Sequence, residues 1–374
     1  RTQEQCLSVV VDSSQICAPM PATSSVRVVV RTRPTSSFAA DCLKVHDDKC
    51  CVTATLPKGG EHGKSENAQD SWTWRYDSVL HNASQDTAYA DVSPVVKSVL
   101  QGYNGTIMCY GQTGAGKTFT QIGDTSSYAH RGIVPRSVAE IFQYISDHPQ
   151  FDATVGVSYL EIYNDSLVDL LSSLPSEEPQ GGALHLIEDV SGATHVKGLR
   201  VEKVTNEEEA LNMLFEGETN RAVANHQLNR NSTRGHAVFT VYVQIRSRVE
   251  SSEKVVRCKL NLVDLAGSER LKKTSTEGDM KAESMYINRS LSYLEQVVIA
   301  LSAKGRSHTP YRQSKLTHLL KDSLGGNCKT LLMANIYGEA QHIEETISTL
   351  QAPHERRRPR KRCRVVQRRA AVGA

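Results

Sequence analysis

The chain has 374 residues, 39% hydrophobic and 23% charged, enough to bury a large core as one big α/β domain or two smaller ones. No stretch has the apolar length that a membrane span requires, and no basic–apolar–small leader opens the sequence, which argues against membrane and secretory classes. The net charge of +3 hides an asymmetry, because residues 353–374 hold nine Lys and Arg against the single acid Glu355, leaving the remainder near −5.

In chain order, residues 1–24 read as an irregular extension ending in the linker-like "APMPATSS", and the first residue is Arg, as in a fragment. Strands are expected at 26–31 ("VRVVVR") and at 72–76 ("WTWRY"), the second alternating as a half-buried strand does. Pro94 and Gly102 punctuate a helix over 93–102. An apolar strand follows at 107–110, then a helix with Val138, Ile141, Phe142 and Ile145 on one face, and a strand over 154–163. Asn206 and Glu209 form a capping-box start to a helix through 215. The strands 237–245 and 258–264 form a hairpin, a long helix covers 281–302, a buried strand covers 330–335 and a short helix covers 343–350. Pro353 and Pro359 are expected to stop helix beyond that point, and the arginine-rich block at 351–374 reads either as a solvated basic tail or as a mispredicted region. Nine scattered cysteines without a CxxC pair or a Cys/His cluster suit a reduced, cytosolic compartment without structural zinc.

The stretch "GTIMCYGQTGAGKTFT" (105–120) carries the chemistry. Its spacing Gly111-x-x-x-x-Gly116-Lys117-Thr118 fits a phosphate-binding loop: glycines let backbone N–H groups turn inward, Lys117 reaches the β- and γ-phosphates, and Thr118 offers a hydroxyl to Mg²⁺. A helix starting there adds its N-terminal partial positive charge. Two further stretches complete a γ-phosphate sensor. "NLVDLAGSER" ends a strand in Asp264, suited to the water shell of Mg²⁺, and continues through Gly267 to Glu269. "NRNSTRGH" places Ser232 and Thr233 beside Arg234, which can bridge to Glu269. Alone, Asp264 could cap a helix and the Asn/Ser/Thr cluster could be a polar turn. Beside the loop, those readings lose ground.

With "RTRP" (31–34), "SYLEIYNDSLVDLL" (158–171), "INRSLSYLEQVVIAL" (287–301) and "PYRQSKLTHLLKDSLGGN" (310–327) in the same order, residues 25–350 resemble a kinesin motor domain. The phrases "LFEGETNR", "SLSYLEQ", "LTHLLKDSLGGNC" and "NIYGE" are most similar to the kinesin-9 class, associated with motile cilia and flagella. The resemblance implies an α/β phosphate-loop NTPase of kinesin-motor type, with a central mixed, mostly parallel β-sheet flanked by helices on both faces. It implies ATP/ADP and Mg²⁺ as cofactors and microtubules (α/β-tubulin) as partner, with other axonemal central-apparatus proteins as further partners, and neither nucleic acid nor membrane. Arg31, Arg33, Pro34 and Phe119 would flank the adenine. Gly111, Gln112, Thr113, Gly114, Ala115, Gly116, Lys117 and Thr118 would hold the phosphates. Thr118 and Thr233 would contact Mg²⁺, with Asp264 acting through water. Ser232, Arg234, Gly267 and Glu269 would organise the attacking water without a strong general base. Lys272, Lys273, His308, Arg312 and Lys315 would face the acidic microtubule, although basic residues at a helix end are also simply solvated.

Gly235 and Thr233 stand where the family carries serines, and Gly235→Ser is expected to raise ATP turnover by stiffening the backbone. The implied function is a microtubule-stimulated ATPase motor in the cytoskeleton of a cilium or flagellum. The alternative is a structural axonemal head that grips microtubules with slow or no turnover. A phosphate-loop GTPase would need a guanine-reading Asn-Lys-x-Asp, which the sequence lacks.

Overall fold

In the apolar run 107–110, Ile107 and Cys109 join one buried cluster while Met108 and Tyr110 join another. A strand that is apolar at every position belongs in the middle of a sheet covered on both faces. The computed structural model builds such a sheet; it describes residues 26–46, 48, 50–56, 71–124, 126–172, 184–189, 192–228, 235–248, 255–269, 278–302, 308–325 and 328–357.

The chain begins with β1 (Arg27–Thr32), then a meander of β2 (Leu43–His46), β3 (Cys51–Thr55) and β4 (Ser71–Arg75), and the short β5 (Ser78–Leu80). Helix α1 (Gln85–Leu100), strand β6 (Asn104–Tyr110), α2 (Lys117–Gln121) and α3 (Ile133–Asp147) follow. The antiparallel half opens with β7 (Phe151–Tyr163) and β8 (Ser166–Asp169), passes a hairpin of β9 (His185–Glu188) and β10 (Thr194–Lys197), and reaches β11 (Glu202–Val204) and α4 (Glu207–Leu228). Strands β12 (His236–Ser247) and β13 (Val255–Asp264) lead to α5 (Gly278–Ser302), α6 (Lys315–Leu319), α7 (Lys321–Gly325), β14 (Cys328–Ile336) and α8 (Ile343–Arg357).

The main sheet runs β11-β7-β12-β13-β6-β14-β1-β5, with β8 paired to β7. Junctions from β13 to β5 are parallel, and those from β11 to β13 are antiparallel. One face packs on α1, α3 and α4 through Val96, Ile141 and Leu214. The other packs on α5, α6 and α8 through Leu294, Leu316 and Leu350. Register puts Cys109 of β6 beside Asp264 of β13 and Met333 of β14, and Arg31 of β1 beside Asn335. Four chain segments therefore leave the same carboxyl edge of the parallel strands, where α/β sheets hold ligands.

Several expected boundaries move: α4 runs on past 215 to Leu228, and β7 and β13 each start three residues earlier. Helix α1 starts at Gln85, where the Ser84 hydroxyl accepts the Thr87 N–H, so Pro94 lies inside the helix instead of opening it. Proline removes one ladder bond there, and burial of Val92, Val95, Val96 and Val99 outweighs that loss. Helix α8 likewise continues through Pro353 to Arg357, held by buried Leu350 and Ala352 and by the Tyr76 hydroxyl, which donates to the Leu350 carbonyl at 2.6 Å. At the start of α4, Asn206 accepts the Glu209 N–H as expected (2.8 Å). The return bond goes one residue further out, with the Glu209 carboxylate accepting from the N–H and hydroxyl of Thr205.

Candidate nucleotide-binding and hydrolysis site

Strand β6 ends at Tyr110, and Gly111, Gly114 and Gly116 all take positive φ, so the chain doubles back before α2 starts at Lys117. A side chain at Gly111 would collide with the Asn335 carbonyl, and one at Gly114 with the Tyr337 hydroxyl. Both glycines are thus required by dihedral angle, and Gly111 by backbone contact as well. Lys117 is buried and its Nζ donates to the Gln112 carbonyl at 3.0 Å, inside the loop's own curl. Burial lowers its pKa, while Asp264 and Glu269 pull the other way.

The second motif meets the first directly. The Thr118 hydroxyl donates to Asp264 Oδ2 at 2.7 Å, while Asp264 Oδ1 is buried without a partner among the described residues. A hydroxyl beside a carboxylate with an unspent oxygen fits a hard cation such as Mg²⁺, whose preferred donors are all oxygen. The strap 265–269 then lies along the loop, with Leu265 N–H on the Cys109 carbonyl and Ser268 N–H on the Gly111 carbonyl. Glu269 turns back onto Thr113, accepting from its N–H at 2.8 Å and from its hydroxyl at 2.6 Å. Gly267 sits beneath this contact, and any side chain there would strike Glu269 and Thr113. Ser232, Thr233 and Arg234, expected to complete the sensor, lie outside the described residues.

On the other side of the loop, Arg33 donates to the Gly114 carbonyl (2.6 Å) and to the Tyr337 hydroxyl (2.8 Å), with its guanidinium 5.2 Å from the Tyr337 ring centre. Pro34 is exposed, and Phe119 is 44% exposed. Arg31 is buried one layer behind, bonded to Gln85, Thr120 and the Ala83 carbonyl, with its guanidinium 5.9 Å from the Phe119 ring. Tyr337 was not singled out from the sequence. Its partner Arg33 is 304 positions away, and nothing local marks the contact.

Behind Asp264 lies a second unanticipated group. Arg221 of α4 is buried between Glu161 (3.2 Å), Glu218 (3.7 Å) and Asp264 (3.8 Å), and donates to the Gly235 carbonyl at 3.1 Å. Burial works against its charge, but Tyr159 and the three acids hold its pKa above the ordinary value. Gly235 is itself buried, and a Cβ there would collide with the Glu161 carboxylate. The glycine leaves room for this ion pair, and a serine there would need the Glu161 side chain to move.

Of the expected track-facing residues, Lys272 and Lys273 lie outside the described residues. His308 is exposed, and Lys315 is half-buried at the first turn of α6 with its N–H on Asp165. Arg312 is largely exposed but shared: with His318 and Lys321 it converges on Glu188, at 3.0, 2.9 and 2.9 Å. Hydrogen bonds from Lys321, His318 and Arg312 bring the Glu188 pKa down to about 2.

A phosphate loop, a strand-end aspartate bonded to its threonine, and a glycine–glutamate strap folded over it together define a phosphate-loop nucleotide hydrolase. The family model "Kinesin motor domain" matches residues 31–357, and the chain belongs to that family, whose members are microtubule-stimulated ATPases. The chain is 51% identical over 332 residues to the kinesin-like protein KIF9 of Mus musculus, covering 88% of this chain and 42% of that protein. It is 48% identical over 327 residues to the kinesin-like protein KLP1 of Chlamydomonas reinhardtii, covering 87% of this chain and 42% of that protein. The chain therefore spans less than half the length of these relatives. Among solved structures, it matches that of a fast kinesin with a TM-score of 0.77 and 34% identity, over 89% of this chain and 91% of that one.

Proposed function

We propose that this chain is the motor head of a microtubule-stimulated ATPase that couples ATP hydrolysis to force or movement in the axoneme of motile cilia or flagella. The observation that carries the reading is the joining of the loop to the strap: Thr118 with Asp264 and Thr113 with Glu269, two pairs about 150 residues apart in sequence that meet at one strand edge. Such a pairing lets the strap's position depend on what the loop holds.

In this reading the loop's N–H groups and Lys117 bind the phosphates, with Arg33, Pro34 and Phe119 beside the base and Arg31 supporting Phe119. Thr118 and Thr233 would hold Mg²⁺, with Asp264 through water; when bound, the ion neutralises phosphate charge. Ser232, Arg234 and the Gly267 N–H surround the terminal phosphate, and Glu269 orients the attacking water. Positioning and fixed charge supply the catalysis. Lys272, Lys273, His308, Arg312 and Lys315 face the acidic track. The ciliary setting rests on the kinesin-9-like phrases and on the likeness to KIF9 and KLP1.

The test is ATP turnover by this chain with and without taxol-stabilised microtubules, using Lys117→Ala as control. A large stimulation that vanishes in the control supports a working motor. Tight microtubule binding without stimulation replaces that reading with a structural head.

A further inference from the structure

His236 is the first residue of β12 and sits one position after Gly235, 3% exposed, with both ring nitrogens engaged. The Ala266 N–H donates to Nδ1 at 3.1 Å, so Nδ1 is the unprotonated nitrogen. The Ser290 hydroxyl donates to the Ile287 carbonyl at 2.8 Å, and its oxygen accepts from Nε2–H at 2.8 Å. Every proton in this chain of three bonds has one assignable place. The chain joins three segments: the end of the stretch "NRNSTRGH", the strap two residues past Asp264, and helix α5.

The packing around it is uneven. Between α5, the end of β7 and the start of α6 lies a cavity of about 130 Å³, lined in part by Ile162, Asn164, His236, Ile287, Ser290 and Leu316. Beside this pocket, α5 meets the strap through the directed His236–Ser290 bond as well as through the buried packing of Leu265 with Leu291 and Leu294. A directed tie of this kind fixes the strap and the helix relative to each other at one point, so that a displacement of one end bears on the other.

We propose that His236 and Ser290 are positioning residues that couple the strap 265–269 to helix α5, so that a shift of Ala266 at the nucleotide site is carried through the imidazole to the helix. Neither side chain touches the loop residues that hold phosphate. The proposal rests on the motor reading for its role in stimulated turnover, but the tie itself can be tested apart from it.

Two readouts on Ser290→Ala, Ser290→Thr and His236→Asn separate the cases. Asparagine at 236 keeps an acceptor for the Ala266 N–H and loses the donor to Ser290. The first readout is hydrogen–deuterium exchange of peptides spanning 285–302, with ADP and with β,γ-imido-ATP. In the parent chain, exchange should differ between the two nucleotides; Ser290→Ala and His236→Asn should remove at least half of that difference, and Ser290→Thr should keep it. The second is the microtubule-stimulated rate, expected to fall about three- to tenfold in Ser290→Ala with basal turnover and ADP affinity unchanged. The double variant His236→Asn/Ser290→Ala should be no worse than either single one. The proposal is overturned if the parent helix does not respond to nucleotide, if Ser290→Ala leaves the response intact, or if the two variants add. Absence of microtubule stimulation in the parent chain would overturn the motor reading alone, because the exchange measurement still decides the coupling.

Discussion

Glu269 holds Thr113 by two hydrogen bonds, one from the backbone N–H at 2.8 Å and one from the hydroxyl at 2.6 Å, so a carboxylate occupies a donor of the loop that phosphate would use. Charge-assisted bonds of this kind are the strong ones, and nucleotide has to compete with them. Glu269→Ala should therefore bind a fluorescent ADP analogue about three- to tenfold more tightly while losing stimulated hydrolysis. Titration and turnover on the same preparation check both halves, and weaker binding would show that the carboxylate is not a competitor.

The collision between a Cβ at 235 and the Glu161 carboxylate reverses what the family pattern suggests for Gly235→Ser. Inserting the side chain displaces the Glu161–Arg221 pair, which is 4% and 6% exposed, and overpacking of this sort costs about 1–3 kcal/mol. The expected result is a melting temperature lower by roughly 2–8 °C, with turnover reduced as well. A serine variant that melts with the parent and turns over faster would restore the sequence-based expectation.

Glu188 accepts hydrogen bonds from Arg312 and Lys321 and meets the His318 ring, beside the residues proposed to meet the track. Glu188→Gln releases one unit of positive charge there. Microtubule affinity should rise about two- to fivefold at low ionic strength, and the gain should fade in 0.3 M salt as screening shortens to a few ångströms. Co-sedimentation across a salt series reads this directly. For the parent chain, Glu188 is held below its ordinary carboxyl pKa, so the hairpin contact is present above about pH 4.5 and lost as pH falls towards 2.

Burial, with the nearby charges of Arg221 and Lys117, brings the His236 pKa down to about 3, so the folded chain keeps this imidazole neutral. The unfolded chain takes up a proton near pH 6.5, so this group's contribution to stability is complete above that value. It declines on acidification, by at most about 1.4 kcal/mol per pH unit, until pH 3. Thermal melts at pH 7.5 and 5.5 should differ more for the parent than for His236→Asn. An equal difference would remove His236 from the acid response.

Legibility from sequence followed the range of the determining contact. The loop was readable because spacing and dihedral demand fall within eight residues, and the β12–β13 hairpin because both strands carry their own apolar pattern. The start of α1 was missed because Ser84 caps it ten residues before the proline that drew attention. Arg221, His236 and Tyr337 were missed because their partners lie on other elements. Arg221 sits on a helix whose acidic first turn reads as a solvated face, and its partner Glu161 lies near the end of strand β7, 60 positions away. The His236–Ser290 bond spans 54 positions, with no periodicity to announce it. Even so, His236 stood at the end of "NRNSTRGH", and a histidine flanked by strand residues could have prompted the question of what its two nitrogens meet.

The position of α8 has a mechanical consequence. The helix follows β14 after a short turn, and β14 lies between β6 and β1, parallel to both, with ladders running from Cys328 to Ala334 on one side and from Leu331 to Ile336 on the other. A pull along the axis of β14 would load both ladders in shear, so that their rungs strain together. The three-residue edge strand β5 would instead peel open rung by rung. Along its own axis, then, the strand that leads into α8 resists a pull better than the edge strand does.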